Sequence, residues 1–399
     1  MPANLKATAV SDFQTVLFGI LSRLFPAVDA LEAYEFGYAL DLLTPLEGWD
    51  SIAIEEVQSI QKRVEDRSFY DAIVTSAKVG GRIILDPQVV HLTQMLFVGL
   101  VSQAYPEKWV VENFYFDVRA FLFFHRTRYF TPEVIAHFGG KPFRQFEAKQ
   151  TRFDTFQGVG YADFKAANAE IDQAFINCVQ KVVASRGTPM LLTLAGPTAA
   201  GKTEIIERLH SAFAEQGQKI TTVEMDNFLV DRDVRGEQPL GIATSHFKLF
   251  RQFLDDILKR KATSIPRYDF IKATSSHDLA GNLRPGGTPI IVEPADIIFI
   301  EGNFPFQIKE ISDRIGIKVV YLTDDPVRLK RKWKRDIDYR KKYDPNFFMN
   351  RYFKTQFLRA EDCYRIQMQV CEIVVDTTRA SLWVTPEIAA LTGDPGQLL

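Results

Sequence analysis

The stretch from Met190 to Thr203, M-L-L-T-L-A-G-P-T-A-A-G-K-T, narrows the choice of fold more than any other part of the chain. Leu191, Leu192, Leu194 and Ala195 make a charge-free apolar run, as a strand buried on both faces of a parallel sheet requires. Gly196-Pro197-Thr198-Ala199-Ala200-Gly201-Lys202-Thr203 has the spacing G-x-x-x-x-G-K-[ST], and Ile205, Ile206, Leu209 and Phe213 then recur at helical spacing. The expected order is strand, loop, helix. Glycines at both ends let the backbone curl so that successive N–H groups point at phosphate oxygens, with the positive end of the following helix behind them. Gly196, Thr198, Ala199, Ala200, Gly201 and Lys202 are therefore the expected contacts to a nucleotide, with Lys202 reaching its outer phosphates. The Thr203 hydroxyl is placed to ligate the magnesium that accompanies a nucleoside triphosphate. A lysine facing a solvent-filled cleft packs against little, so Lys202→Ala is predicted to abolish turnover with the fold nearly intact.

At 399 residues the chain has room for two or three domains. A formal net charge of -2 gives no global basic excess, so no nucleic-acid partner is expected and any positive site must be local. Cys178, Cys363 and Cys371 show neither metal-ligand spacing nor a paired framework, which fits a reducing compartment and a cytoplasmic protein. Phe13, Val16, Leu17, Ile20, Leu21 and Leu24 fit an amphipathic helix, and no apolar run approaches a membrane span. No membrane partner is expected; a homo-oligomer is left open.

Residues 1–158 read as a mainly α-helical domain whose role the sequence does not disclose, with periodic segments at Phe13–Leu24, Ala30–Leu43, Ile52–Val64 and Val89–Tyr105. Aromatics crowd Trp109–Phe130, interleaved with Arg119, Arg126 and Arg128. They exceed what a solvated face carries, which favours a packed helix over a nucleic-acid surface. His91, His125 and His137 stand apart, as surface or satisfied histidines do. Gly139–Pro142 and the polar stretch Gln145–Gly160 read as a linker zone.

Residues 159–385 read as an α/β domain with a mostly parallel sheet flanked by helices, and 386–399, with two prolines and two glycines from Pro386 on, as a loosely ordered tail. A helix over Tyr161–Ser185 leads into the phosphate-loop strand, and a second strand, Ile220–Met225, ends at Asp226. Functional groups of open parallel sheets gather at the carboxyl ends of strands, so Asp226 is expected near the phosphates, where it can take the proton of an attacking hydroxyl. Ile297–Ile300 is a third buried strand that ends in Glu301, a carboxylate placed to hold magnesium. For both acids, capping of the next segment is the plainer alternative. Ile317–Leu322 is a fourth strand, with Thr323 after it at the expected nucleotide site. The next helix carries Arg328, Arg331 and Arg335 on one side and Leu329, Trp333 and Ile337 on another, which suits a lid closing over transferring phosphate. A solvated basic face is the alternative.

In this order, G-P-T-A-A-G-K-T, M-D-N-F, I-P-R-Y-D-F, I-F-I-E-G-N-F and R-L-K-R-K-W-K-R-D-I with Arg340 beyond it resemble the phosphoribulokinase and uridine kinase family of P-loop kinases. The run Tyr352–Val375, ending in C-E-I-V-V-D, is similar to that family's closing helix and final strand, so the resemblance covers about Thr188–Thr378. It implies a P-loop kinase that uses ATP and Mg2+ to phosphorylate a hydroxyl of a small metabolite. Asp226 matches the family's acid near the acceptor hydroxyl, Tyr268 an aromatic at the acceptor site with Arg267 beside it, and Arg331, Arg335 and Arg340 lid positions, Arg340 toward the acceptor. The chain departs from uridine kinases at two places. Ile271-Lys272-Ala273-Thr274-Ser275 stands where they carry a histidine and an arginine, and Ile242–Phe247 replaces their D-x-P-x-A-F-D segment. Both fall on nucleoside-reading groups, and the family also holds kinases of pantothenate, glycerate and ribulose phosphate, so the acceptor is open. A nucleotide-dependent switch whose helical half binds a protein is the other function class considered, although no N-K-x-D guanine-reading motif is present.

Overall fold

The computed structural model describes residues 10–29, 31–73, 86–117, 122–147, 165–236, 238, 241–302, 306, 309–323 and 364–393. These form two compact units, one of residues up to Arg128 and one from Tyr129 onward. Among the described residues no helix is long and apolar enough to cross a membrane.

The first unit has helices α1 (Val10–Leu24), α2 (Pro26–Asp29), α3 (Ala33–Asp41), α4 (Val57–Glu65), α5 (Arg67–Ala72), α6 (Pro87–Val101) and α7 (Glu107–Asn113). Their apolar faces supply one core, with Leu17, Leu21, Phe36, Ile60, Leu96 and Phe97 buried in it. The aromatic stretch departs from the expected helix. After α7 it becomes an antiparallel pair, β1 (Phe114–Asp117) and β2 (Leu122–His125), with Phe116 opposite Phe123. Phe114, Tyr115 and Phe116 are buried in succession, so both faces of β1 are covered. Aromatic residues favour such a pleated surface, and crowding that excludes a solvated face fits a two-sided strand as well as a helix. The Phe116 and Phe123 rings stack with centroids 5.1 Å apart. Arg126 lies over the Tyr115 ring and Arg128 reaches Glu65 at 3.6 Å, so these arginines serve the unit itself. Arg119 lies outside the described residues.

The second unit is built on a seven-stranded sheet ordered β3-β13-β12-β11-β4-β10-β5. Its strands are β3 (Arg144–Gln145), β4 (Met190–Ala195), β5 (Ile220–Glu224), β10 (Ile297–Gly302), β11 (Ile317–Leu322), β12 (Ile373–Asp376) and β13 (Ser381–Val384). The five strands from β12 to β5 run parallel, and β13 and β3 close one side antiparallel. Every residue of β4 is buried, as the charge-free run requires. Helices α8 (Pro132–His137), α9 (Ala169–Arg186) and α10 (Lys202–Ala214) precede or follow these strands. The β4 to β5 connection through α10 passes over β10, which returns beside β4, while β11 takes the other side of β4. The chain therefore reverses direction across the sheet at β4, and the crevice at the carboxyl ends opens there. Buried Asp172 on α9 accepts from Arg208 on α10 at 2.5 Å and from the Tyr321 hydroxyl on β11 at 2.8 Å, tying three elements together.

Two expectations are corrected here. The zone read as linker supplies β3, with Gln145 opposite Ser381 and Arg144 opposite Leu382. The tail read as loose holds helix α13 (Pro386–Thr392). Thr385 caps it by accepting from the Ile388 N–H, Pro386 takes the first turn, and Gly393 ends it at φ 81. Proline just inside the start and glycine just past the end mark a short helix as well as they mark disorder. Buried Ile388 and the Lys181 ammonium, 2.8 Å from the Thr392 carbonyl, hold it on the sheet unit.

Candidate active site

The turn from β4 into α10 is shaped by close backbone approach. A Cβ on Gly196 would lie 2.3 Å from the Tyr321 carbonyl oxygen, so only glycine lets the loop leave β4 here. Gly201 caps α10 in the left-handed region at φ 105, and Ala199 sits at φ 61. The first N–H groups of α10 thus face the loop it caps. Lys202 is the first residue of α10, and its side chain is only 8% exposed. Its ammonium donates to the carbonyls of Gly196 at 3.0 Å and Pro197 at 3.2 Å and lies 3.9 Å from Glu301 Oε1. The lysine is therefore a packed part of the loop and does not face open solvent, which corrects the expectation that its removal leaves the fold nearly untouched.

Glu301, one residue before the end of β10, lies in register with Leu194 of β4 on one side and Glu224 of β5 on the other. The Thr203 hydroxyl lies 3.0 Å and 3.2 Å from its two carboxylate oxygens. Two hard oxygen donors side by side next to the phosphate loop are the donor set that magnesium takes, so the residues present fit the ion. Asp226 sits two residues past Glu224, in a 3-10 turn, Met225–Phe228, that continues β5. The Glu224 carboxyl is held above its ordinary value, first by desolvation, then by the carboxylates of Glu301 and Asp226, against the pull of Lys202. Its side chain still meets solvent, so the two like charges are the firmer part of that cause. One lysine and three acids from α10, β5, the turn after β5 and β10 thus share the carboxyl edge beside the loop. Glu224 was not singled out in the sequence, although acids at alternate positions, V-E-M-D, at a strand end were the available signal.

The expected acceptor side is built from the segment between β5 and β10. Helix α11 (Arg232–Arg235) and helix α12 (Phe247–Leu258) lead to β6 (Thr263–Ile265), β7 (Tyr268–Asp269), β8 (Thr274–Ser275) and β9 (Ile290–Val292); β6 pairs with β9 and β7 with β8. Tyr268 is buried, and its backbone N–H donates to Asn227 Oδ1 at 3.2 Å, which fastens β7 to the residue after Asp226. The Tyr268 hydroxyl accepts from Arg235 Nη2 at 2.7 Å. Arg267 is exposed and touches this frame through its N–H, which donates to Ser276 Oγ at 2.8 Å. The segment that departs from the uridine kinase pattern is scaffold. His246 N–H donates to the Phe228 carbonyl at 2.6 Å, and its Nε2 lies 3.0 Å from Ser275 Oγ. Asp231 accepts from the Ser275 N–H and from Arg284, each at 2.7 Å, closing the same frame.

Thr323 is buried at the end of β11, its hydroxyl 2.7 Å from that of Thr377. Arg328, Arg331, Arg335 and Arg340 lie outside the described residues.

The profile of the Phosphoribulokinase / Uridine kinase family matches residues 191–382. A uridine kinase of Lactobacillus helveticus is 30% identical over 155 residues, 37% of this chain and 68% of the relative. One of Streptococcus agalactiae serotype V is 28% identical over 164 residues, 39% of this chain and 71% of the relative. Among solved structures, D-glycerate 3-kinase from Cryptococcus neoformans is similar at a TM-score of 0.38 and 13% identity, over 54% of this chain and 99% of that one.

Proposed function

We propose that this chain, which belongs to the phosphoribulokinase/uridine kinase family, transfers the terminal phosphoryl group of ATP to a hydroxyl of a small metabolite. The observation that carries the reading is the juxtaposition of the Lys202 loop with Glu301, Thr203 and the Asp226 turn at the carboxyl ends of β4, β10 and β5. Such transfer asks little covalent chemistry of a protein and much positioning and charge stabilisation. The loop N–H groups and Lys202 hold the phosphate oxygens. Thr203 and Glu301 hold magnesium, which when bound neutralises charge on the phosphates. Asp226 orients the acceptor hydroxyl and takes its proton as the acceptor oxygen bonds to the terminal phosphorus and the bond from that phosphorus to the bridging oxygen breaks. Tyr268 and Arg267 border the acceptor. Arg331 and Arg335 are proposed to meet the developing charge from a lid, with Arg340 toward the acceptor.

ADP release against a panel of hydroxylated metabolites tests the reading. Dependence on one acceptor supports it, whereas slow hydrolysis indifferent to every acceptor but changed by a protein favours a nucleotide switch. Within a kinase, Asp226→Asn should lower the rate with little change in nucleotide affinity, and Glu301→Gln should raise the magnesium needed for half-maximal rate. Matching kinetic defects in the two variants would remove the reason for separating their roles.

A further inference from the structure

Helix α3 is apolar on two sides. Phe36, Ala39, Leu40 and Leu43 are buried in the core of the first unit, and Phe36 lies against Phe18 of α1 with ring centroids 4.9 Å apart. The Gln14 side chain of α1 packs where a Cβ on Gly37 would stand, at 2.6 Å, so the two helices are in close contact and α3 is held in place. On its other side Tyr34, Tyr38 and Leu42 follow at one-turn spacing and make one stripe, Tyr34 75%, Tyr38 73% and Leu42 44% exposed. Leu46 stands fully exposed in the next turn, which the Gly48 N–H closes on the Pro45 carbonyl at 3.0 Å. Single exposed apolar residues are ordinary on a protein surface, but a row of them on one short helix and the turn after it makes a patch. The charge around this patch is of one sign. Between Arg23 and Lys62 the chain carries eight carboxylates and no lysine, arginine or histidine, although its net charge is only -2. Glu35 and Asp41 stand beside the stripe on α3, and Glu47 and Asp50 follow Leu46. All four are exposed and form no ion pair among the described residues, whereas Glu55, near the end of the stretch, pairs with Arg63 at 2.8 Å. Glu35 Oε2 accepts the Glu32 N–H at 3.0 Å, which fixes that carboxylate at the start of the helix.

We propose that the outer face of α3 docks a cationic amphipathic segment of another protein, in which arginine or lysine is interleaved with apolar side chains. A guanidinium laid over the Tyr34 or Tyr38 ring meets its negative face and reaches Glu35 or Asp41, while apolar side chains cover Leu42 and Leu46. Other coverings fit the charge less well. A second copy of this chain would bring the same carboxylates against themselves, and an anionic lipid surface or a nucleic acid would be repelled. The helix is only about 14 Å long, so a short segment covers it, and the affinity expected is on the order of micromolar. This docking concerns the helical unit alone and does not depend on the kinase reading.

Fluorescence anisotropy of the full chain with three dye-labelled helical peptides tests this: one with leucine on one face and arginine on the other, a twin with glutamate for arginine, and a twin with serine for leucine. The arginine and leucine peptide should bind about tenfold or more tightly than either twin, and its binding should weaken with added salt. Tyr34→Ser with Tyr38→Ser should cost about tenfold in affinity. Glu35→Gln with Asp41→Asn should cost about as much and flatten the salt dependence. These side chains are exposed, so both pairs of substitutions should leave Tm nearly unchanged, which separates lost docking from lost folding. Glu207→Gln with Glu215→Gln, exposed carboxylates of the other unit, should bind the peptide as the wild type does. Equal binding of the three peptides, no binding of any, or the same loss in the Glu207 and Glu215 pair as in the α3 pairs overturns the proposal. A dimer in sedimentation that the tyrosine substitutions abolish, or binding to phosphatidylserine vesicles that they abolish, also overturns it, because the face then belongs to a second copy or to a membrane.

Discussion

Lys202→Met separates a packed lysine from one that merely faces a cleft. Methionine keeps much of the length and apolar stem of the side chain, so the change removes the ammonium and little else. The ammonium gives up two hydrogen bonds to loop carbonyls, at 3.0 Å and 3.2 Å, and its approach to Glu301 at 3.9 Å. Hydrogen bonds of a charged group contribute about 1.5–3 kcal/mol each, but removing a largely buried charge also relieves its desolvation, so the net loss is set at about 1–3 kcal/mol. For a unit of this size a loss of about 1 kcal/mol lowers Tm by roughly 2–4 °C, which gives a fall of roughly 2–12 °C. Turnover should fall by a factor on the order of 10² or more, the loss that attends removal of one charge-stabilising donor. Calorimetric unfolding of both proteins, alongside ADP release, reads the two effects. An unchanged Tm with lost turnover would refute the packed-lysine argument, and full turnover would refute the phosphate-loop role.

Glu224→Gln should stabilise the protein at pH 7. The folded carboxyl is held above the ordinary value of 4.5, so its charged form is disfavoured in the fold; that penalty is absent below 4.5 and grows as pH rises through the raised folded value. The gain in Tm over wild type should therefore shrink to nothing on acidification, and a gain constant with pH would rule out this cause. Asp172→Asn leaves Arg208 facing a neutral amide and should cost about 2–4 kcal/mol, somewhat less than for a fully buried pair because Arg208 keeps some solvent contact. Denaturant titration reads this loss, and a cost under about 0.5 kcal/mol would show that Tyr321 and packing alone hold α9. Burial pushes the Cys178 thiol up to about 12 and the Cys371 thiol well above its ordinary value, so a thiol reagent should label neither in the native protein. Mass spectrometry that finds either labelled before unfolding would contradict that burial.

The second unit was readable because its sequence signals are local. A charge-free strand, a glycine loop and a helix lie end to end in Met190–Ala214, and the acids at the ends of β5 and β10 accord with the rule that strand ends carry function. Where pairing partners lie far apart, the local signal failed. β3 is two residues long in a polar stretch, and its only distinction is a partner more than two hundred residues away. The aromatic run of β1 and β2 has no clean period of two because both faces of β1 are covered, so burial masks the alternation. Arg235 carries no motif at all. Its position comes from two contacts, one local through Val230 and one across the excursion through Tyr268.

The short pairing of β3 on β13 also sets where this chain can be cut. The Phe146 N–H donates to the Ala380 carbonyl at 2.7 Å, and the Gln145 amide to the Arg379 carbonyl at 2.6 Å, so residues well upstream of the family-matched region 191–382 seal the outer strand of its sheet. Phe130 and Phe138 pack on Trp383 of that same strand. A fragment begun at residue 159, where composition alone suggests a boundary, exposes Ser381–Val384 as an open hydrogen-bonding edge with an apolar face, the arrangement that recruits strands from other molecules. The part of the chain shared with its relatives is thus not a separable cassette, and a soluble catalytic fragment has to start before α8.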